Sequence, residues 1–429
     1  MNWRKPVVTL LLKIKGTRII DNLNIIKKLD KLSEAHKKKY QKKKLQKILN
    51  FAYKNVPYYH KILSKFVVNG NVDLDKFDEI PFLTKKELRS QNKDLLSKDY
   101  KKRKTFENTS GGSTGEPVRF IQDRTYDDWN IANKIYYKLK AGQDIGMKEL
   151  RFWGSERDLL EGKEKFSIRL RNWLYNRREF NTFKMSEKDM YRYVKEWNKY
   201  KPSWVESYVQ SIYEFAKFIS DNGLKIHSPK NGILTSAGTL YPHMKKKIEK
   251  VFGCKVYNRY GSREVGDMAF GLDNLYLSFW NHYLEVINGK IYVTTLNNYS
   301  MPLIRYEIGD IGELSDDGLS LTKVSGRVNS MIKTSKGNID SAAITSALYF
   351  DLKGNLFTSF SKYQLVQKDK DVFELQVVIS DTKKWVEEKN DILYVMKQIL
   401  GKTVNLKFKE VKHIPSLDNG KYEYIRCEI

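Results

Sequence analysis

Seven consecutive residues, Thr109-Ser110-Gly111-Gly112-Ser113-Thr114-Gly115, hold three glycines and four hydroxyls. Glycine lets the backbone turn tightly and brings its N–H groups close to a ligand. Hydroxyls add further donors, and the set suits the oxygens of a polyphosphate. The segment is not a Walker A loop. No Gly-Lys-Ser/Thr ends it, and Val118-Arg119-Phe120-Ile121 after it reads as a strand, not a helix. Taken alone, such a cluster is also the ordinary composition of a flexible loop.

The segment strongly resembles the phosphate-binding loop of the adenylate-forming enzymes, the superfamily of acyl-CoA synthetases and adenylation domains. Within it, the likeness is to the phenylacetate-CoA ligase branch and its CapK-like capsule-biosynthesis proteins. Other segments resemble the family's motifs in the same order. Leu234-Thr235-Ser236-Ala237-Gly238-Thr239-Leu240 is similar to the segment whose backbone lies along the adenine. The residues carried over are Ala237 and Gly238; Thr239 stands where the family often has Glu. Tyr260-Gly261-Ser262-Arg263-Glu264 resembles the family's Tyr-Gly-x-Thr-Glu. The resemblance implies a Tyr260 ring packed on adenine beside Gly261, and a Glu264 carboxylate that helps to hold Mg²⁺. A π-face suits a base, and a hard anionic oxygen suits a hard cation. Arg263 replaces the usual Thr.

Pro302-Leu303-Ile304-Arg305-Tyr306-Glu307-Ile308-Gly309-Asp310 resembles the next motif. Its Asp310 is implied to accept from both ribose hydroxyls, as the two oxygens of a carboxylate allow. Arg305 reads equally well as a structural ion-pair partner. Ser325-Gly326-Arg327 resembles the hinge motif, whose arginine meets ribose or phosphate; Asn329 replaces the usual Asp. Ile414-Pro415-Ser416-Leu417-Asp418-Asn419-Gly420-Lys421 resembles the family's late Gly-Lys turn. Lys421 is implied to be the catalytic lysine, offsetting negative charge that builds on the substrate carboxylate and α-phosphate.

The implied reaction is activation of a small carboxylic acid by ATP and Mg²⁺, giving acyl-adenylate and pyrophosphate. Transfer to CoA, a carrier arm or a sugar acceptor follows. The aromatic residues Trp153 and Tyr208, near expected turns, are the substrate-pocket candidates, although core packing is open to each. The branch points to an acid destined for a surface polysaccharide. Two other classes remain open: a non-catalytic nucleotide-binding scaffold in glycan assembly, and a basic nucleic-acid-binding protein.

These residues need elements to position them. Basic helices read over residues 1–75, interrupted at Asn55-Val56-Pro57-Tyr58-Tyr59. Thr84, with Glu87 three residues on, reads as a capping box. Beyond it, short β-like runs alternate with amphipathic helices, the pattern of an α/β fold. One helix is clear, from Pro242 to a stop at Gly253. Strands are expected at Cys254–Tyr257 and Ile291–Leu296. After residue 326 the pattern becomes a small α+β unit, with strands at Phe373–Ile379 and Val404–Val411 and a helix at Trp385–Leu400. The expected organisation is a helical segment 1–75, a large adenylation domain 76–326 built on several sheets, and a small mobile α+β lid 327–429.

Lys and Arg number 78 against 51 Asp and Glu, a net charge of +27, and apolar residues make up 41%. That content supports sizeable cores and excludes a disordered chain. The charge points to an acidic partner, but no helix-turn-helix, zinc-finger or RRM signature accompanies it, and sequence-specific nucleic-acid binding is not expected. The densest run, His36 to Lys47, has seven lysines and no acid; a solvated helix face accounts for it equally. Val7 to Leu32 mixes apolar residues with Lys and Arg, which fits a helix on a membrane surface or one packed onto the body. No apolar run reaches the length of a spanning helix. Two cysteines, Cys254 and Cys427, allow no disulfide framework. A cytoplasmic setting is expected, with peripheral contact at the inner membrane face as an option. The sequence does not specify the oligomeric state.

Overall fold

The computed structural model describes residues 2–109, 118–153, 166–182, 185–327, 332–335, 337–339, 344, 348, 357–415 and 424–428. Three helices open the chain: α1 (Arg4–Ile14), α2 (Ile19–Leu29) and α3 (Glu34–Asn55). The lysine run lies on α3, whose opposite face buries Leu45, Ile48, Leu49 and Ala52. That burial ties α3 into the main core, together with Leu83, Leu88, Val293, Ile304 and Tyr306. Lys44 is the exception to a solvated face. Its Nζ reaches Asn297 Oδ1 at 2.5 Å, and burial lowers its pKa to about 8. Thr84 caps the helix Lys85–Ser90 with a reciprocal capping box, as its spacing with Glu87 predicts.

A hairpin of β1 (Phe106–Thr109) and β2 (Arg119–Gln122) leads into α4 (Arg124–Lys140). Asp123 caps α4 by accepting from the Tyr126 N–H. Then come β3 (Glu149–Trp153), α5 (Phe166–Leu174), β4 (Arg177–Asn181), β5 (Trp204–Tyr208), β6 (Ile233–Ser236), α6 (Pro242–Phe252) and β7 (Val256–Ser262). Strands β8 (Gly266–Gly271), β9 (Leu275–Leu277), β10 (His282–Ile287), β11 (Lys290–Thr295), β12 (Tyr306–Leu314) and β13 (Ser320–Arg327) follow. They form one eleven-stranded sheet in the order β10-β11-β12-β13-β9-β8-β7-β6-β5-β3-β4. Five of its strands, β4-β3-β5-β6-β7, are parallel neighbours. Their connections carry the helices, the α/β pattern of the sequence. Buried residues of α2 (Ile19, Leu23, Ile26, Leu29) and α4 (Trp129, Ala132, Tyr136) share a core with Trp204, Phe270 and Trp280 of the sheet region.

The chain divides into two compact units. The first comprises residues 1–237, 247–308 and 312–324; the second comprises 238–246, 309–311 and 325–429. In the second, β14 (Phe360–Asp369), β15 (Val372–Ile379), α7 (Thr382–Leu400), β16 (Asn405–Glu410) and β17 (Ile425–Cys427) form a small α+β body. Its sheet order is β16-β15-β14-β17. Trp385, Ile392, Met396 and Leu400 of α7 pack with Tyr363, Leu365, Phe373 and Val377 in one core. Strands β15 and β16 are parallel neighbours, and α7 makes the crossover between them.

His282, at the start of β10, is fully buried. Its Nε2 lies 2.7 Å from the Val265 carbonyl, and its Nδ1 has no partner among the described residues. Burial pushes its pKa down from 6.5 to about 4. The neutral ring therefore contributes stability that is fully present above pH 6.5 and is lost as pH falls toward 4. The loss amounts to about 3 kcal/mol. Denaturant melts across this range check it: His282→Gln is expected to flatten the decline, and equal acid sensitivity in both proteins would refute the assignment.

Candidate active site

The residues of the hydroxyl-rich loop from Ser110 to Gly115 lie outside the described residues, but its two ends do not. Thr109 pairs with Arg119 across the β1–β2 hairpin. Gln122, at the end of β2, is buried, and its Nε2 donates to the Arg263 carbonyl at 2.9 Å and the Glu264 carbonyl at 3.2 Å. In return, Arg263 Nη1 reaches the Thr109 carbonyl at 3.4 Å. Two motifs some 140 residues apart are thus fastened to one another through backbone carbonyls. Arg263, which departs from the family pattern, makes one of the fastenings. Asn298, from a separate loop, also holds the hairpin by donating from Nδ2 to the Ile121 carbonyl at 3.0 Å.

The turn after β7 carries Glu264, which is buried. Among the described residues, no cation forms an ion pair with its carboxylate, and no cluster of three or more His, Cys, Asp or Glu could hold a metal by itself. A single buried carboxylate is a donor of the kind Mg²⁺ uses, with water and substrate phosphate filling its other positions. Tyr260 is half-buried against the main core. Gly261 has a steric reason to be glycine. A Cβ there would sit 2.4 Å from the Gly266 carbonyl oxygen, where β7 and β8 approach at an irregular register.

The second group stands at the carboxyl edge of the parallel strands, where α/β sheets place their ligands. Trp153 ends β3 and Tyr208 ends β5, and the register sets these neighbours side by side. Their rings lie 4.0 Å apart, tilted by 30°. Both are half-buried, so neither is closed into the core. Ser236 of β6 lies across from Tyr208. Ala237 follows with φ at 61°, left-handed backbone that a non-glycine residue enters only against strain.

Beneath this edge lies a feature the sequence reading missed. Glu149, Arg151 and Trp153 alternate along β3, and Glu206 and Tyr208 along β5, so all face one side of the sheet. Glu206 meets Arg151 Nε at 3.0 Å, Lys138 Nζ of α4 at 3.3 Å and Arg259 Nη1 of β7 at 3.7 Å. Glu149 meets Lys138 at 2.8 Å and Arg177 at 2.9 Å. Burial pushes the Glu206 carboxyl up, but Lys138, Arg151 and Arg259 together hold it well below the usual carboxylate range. Burial lowers Lys138, and the two glutamates partly offset that. The signal was present as charges at alternate positions in strands otherwise fit for burial.

Arg305 has a structural role. It is buried; its Nε and Nη2 donate to Glu285 at 3.2 and 2.9 Å, and its Nη1 donates to the carbonyls of Asp78 and of Ile80, the latter at 2.6 Å. Its guanidinium also stands 4.4 Å from the Phe82 ring centroid. Arg305→Met is expected to lower stability by about 3–5 kcal/mol, because a buried carboxylate and two carbonyls lose their donor. Denaturation and ATP titration on the same sample check this. Weakened ATP binding without lost stability would place Arg305 in the site instead.

The remaining sequence candidates fall in the second unit or outside the described residues. Gly238 and Asp310 belong to the second unit, Asp310 on β12. Arg327 ends β13, and its side chain lies outside the described residues. So does Lys421.

Comparison with known proteins agrees with this architecture. Residues 332–428 match the family described as the CapK C-terminal domain. The chain is 27% identical over 405 residues to Protein CapK of Staphylococcus aureus, covering 90% of this chain and 88% of that one. Among solved structures, 2-hydroxyisobutyryl-CoA ligase in the postadenylation state, in complex with 2-HIB-AMP, aligns with a TM-score of 0.66 at 17% identity. That alignment covers 93% of this chain and 90% of the ligase. ATP-bound MatB from Rhodopseudomonas palustris aligns at 0.51 and 12% identity, over 73% of this chain and 65% of MatB. The chain is similar to Protein CapK along most of its length, and its fold is that of the adenylate-forming CoA ligases.

Proposed function

We propose that this chain activates a carboxylic acid as its acyl-adenylate and passes the acyl group to CoA or another acceptor. A carboxylate oxygen attacks the α-phosphorus of ATP. The bond from that phosphorus to the bridging oxygen breaks, and pyrophosphate leaves with the electron pair. The observation that carries this reading is the fastening of the hydroxyl-rich hairpin to the Tyr260–Glu264 turn by Gln122 and Arg263. It supports one phosphate-binding region built from both motifs.

In this reading, Thr109 to Gly115 cradle the β- and γ-phosphates. Tyr260, Gly261, Ala237 and Gly238 bound the adenine, and Asp310 and Arg327 hold the ribose. Glu264 is the residue that would hold Mg²⁺, which when bound neutralises phosphate charge. Lys421 bonds the substrate carboxylate and α-phosphate. Trp153 and Tyr208 face the body of the acid at the strand edge. Positioning both anions for attack contributes much of the rate. The CapK likeness favours an acid attached to a capsular or other surface polysaccharide.

Hydroxylamine trapping with a panel of acids tests the reading. An ATP-dependent hydroxamate with any acid supports it. A protein that binds ATP but forms no hydroxamate with cell-extract acids would instead be a nucleotide-binding scaffold.

A further inference from the structure

We infer that α1 and α5 form a docking face for an anionic phospholipid bilayer, with a neighbouring basic cavity that receives a lipid headgroup. This inference is independent of the adenylation chemistry. Helix α1 turns only Val8 fully into the core. Its outer stripe, Trp3, Val7, Leu10 and Ile14, is 44, 37, 58 and 72% exposed. The spacing of four, three and four puts these residues on one helical face. By contrast, α2 buries its apolar stripe at Ile19, Leu23, Ile26 and Leu29.

The stripe extends onto a second helix. On α5, Leu170 and Trp173 are 45 and 55% exposed. The Trp3 and Trp173 rings stand 5.5 Å apart, and the Arg4 guanidinium lies 4.7 and 5.8 Å from their centroids. Arg4 Nε also donates to the Trp173 carbonyl at 3.2 Å. Single exposed apolar residues are ordinary, but a continuous patch holding two tryptophans marks an interaction face.

Beside it opens a cavity of about 500 Å³. Trp3 and Arg4 line it together with Lys148, Lys201, His227 and Lys230, and among the described residues no acidic one does. Lys13 near the end of α1 and Lys15 and Arg18 just beyond it follow in the chain, and Arg169 and Arg171 flank Leu170 on α5.

The charge decides the occupant. A second copy of this chain would set one cationic rim against another, because a two-fold contact pairs a patch with itself. An anionic bilayer complements every part. Phosphates meet the cations, tryptophan sits at the headgroup level, and leucine and isoleucine reach the acyl boundary. No helix among the described residues is long and apolar enough to cross a membrane, so the contact is peripheral.

Co-sedimentation of the full chain with vesicles tests this. Binding is expected with vesicles of phosphatidylcholine containing about 30% phosphatidylglycerol, absent with phosphatidylcholine alone, and weaker at high salt. Leu10→Glu/Ile14→Glu is expected to lower partitioning at least about 100-fold. Lys148→Glu/Lys230→Glu should lower it roughly 30-fold, at about fivefold or more per cation. Both pairs are exposed, so melting temperatures should hold. Wild-type protein left in the supernatant, equal binding to both vesicle types, or undiminished binding by the Leu10/Ile14 variant would overturn the inference. So would a dimer, seen by light scattering, that the same variant splits.

Discussion

Glu206→Ala is expected to lower stability by about 3–5 kcal/mol. Arg151, Lys138 and Arg259 all lean on that carboxylate, at 3.0, 3.3 and 3.7 Å. Without it, Arg151 keeps the longer approach to Glu149 at 3.6 Å, and Arg259 keeps Asp267 at 3.4 Å. Three cations would then share too little negative charge around a position where the carboxylate itself is buried. Glu206→Gln retains an acceptor for Arg151 and should fall between the wild type and alanine. The pH dependence has a definite sign. A carboxyl held below its ordinary 4.5 in the fold contributes stability above that pH, and the contribution is lost as pH falls further. Acid melts of Glu206→Ala should therefore lack a loss that the wild type shows below pH 4.5. This window lies below most of the His282 decline, so the two contributions separate. A cost under about 1 kcal/mol for the alanine variant would mean that the cluster is solvated. Arg151 and Glu206 sit two residues before Trp153 and Tyr208. A folded Glu206→Gln enzyme should accordingly raise the acid's KM more than ATP's.

Lys421→Ala is expected to slow acyl-adenylate formation by about 10²–10³-fold while changing ATP affinity far less. The lysine acts on charge that develops during attack, so its loss appears in the chemical step. Single-turnover measurement with saturating ATP isolates that step. Lys402→Ala, which changes another lysine of the same unit, controls for general charge and should leave the rate unaltered. Equal turnover in wild type and Lys421→Ala would remove the lysine from the mechanism, whatever the family likeness.

Features specified by neighbouring residues were legible in the sequence. The Thr84–Glu87 capping box and the helix Pro242–Phe252 are fixed within a few residues of chain, and both appear as read. The strand read at Cys254–Tyr257 begins two residues later and runs on to Ser262, because its pairing with β8 carries it through the Tyr-Gly motif. Features that depend on distant partners were not legible. Arg305 was open between two roles because its partners, Glu285 and the carbonyls of Asp78 and Ile80, are remote in the chain. The buried charges escaped because each strand looks merely amphipathic until its neighbours are known. The apolar residues of α1 and α2 looked equivalent; only packing separates the buried stripe from the exposed one. For the site itself, the motifs were visible and the fastening by Gln122 was not, since a glutamine bonded to backbone leaves no pattern.

Carboxylate-dependent exchange of labelled pyrophosphate into ATP tests the central claim most directly. Exchange is expected with Mg²⁺ and at least one acid from a panel that includes acid-soluble cell extract, and it should need no CoA. Exchange that proceeds equally without any acid, or none at all from protein shown to bind ATP, would contradict adenylation by this chain.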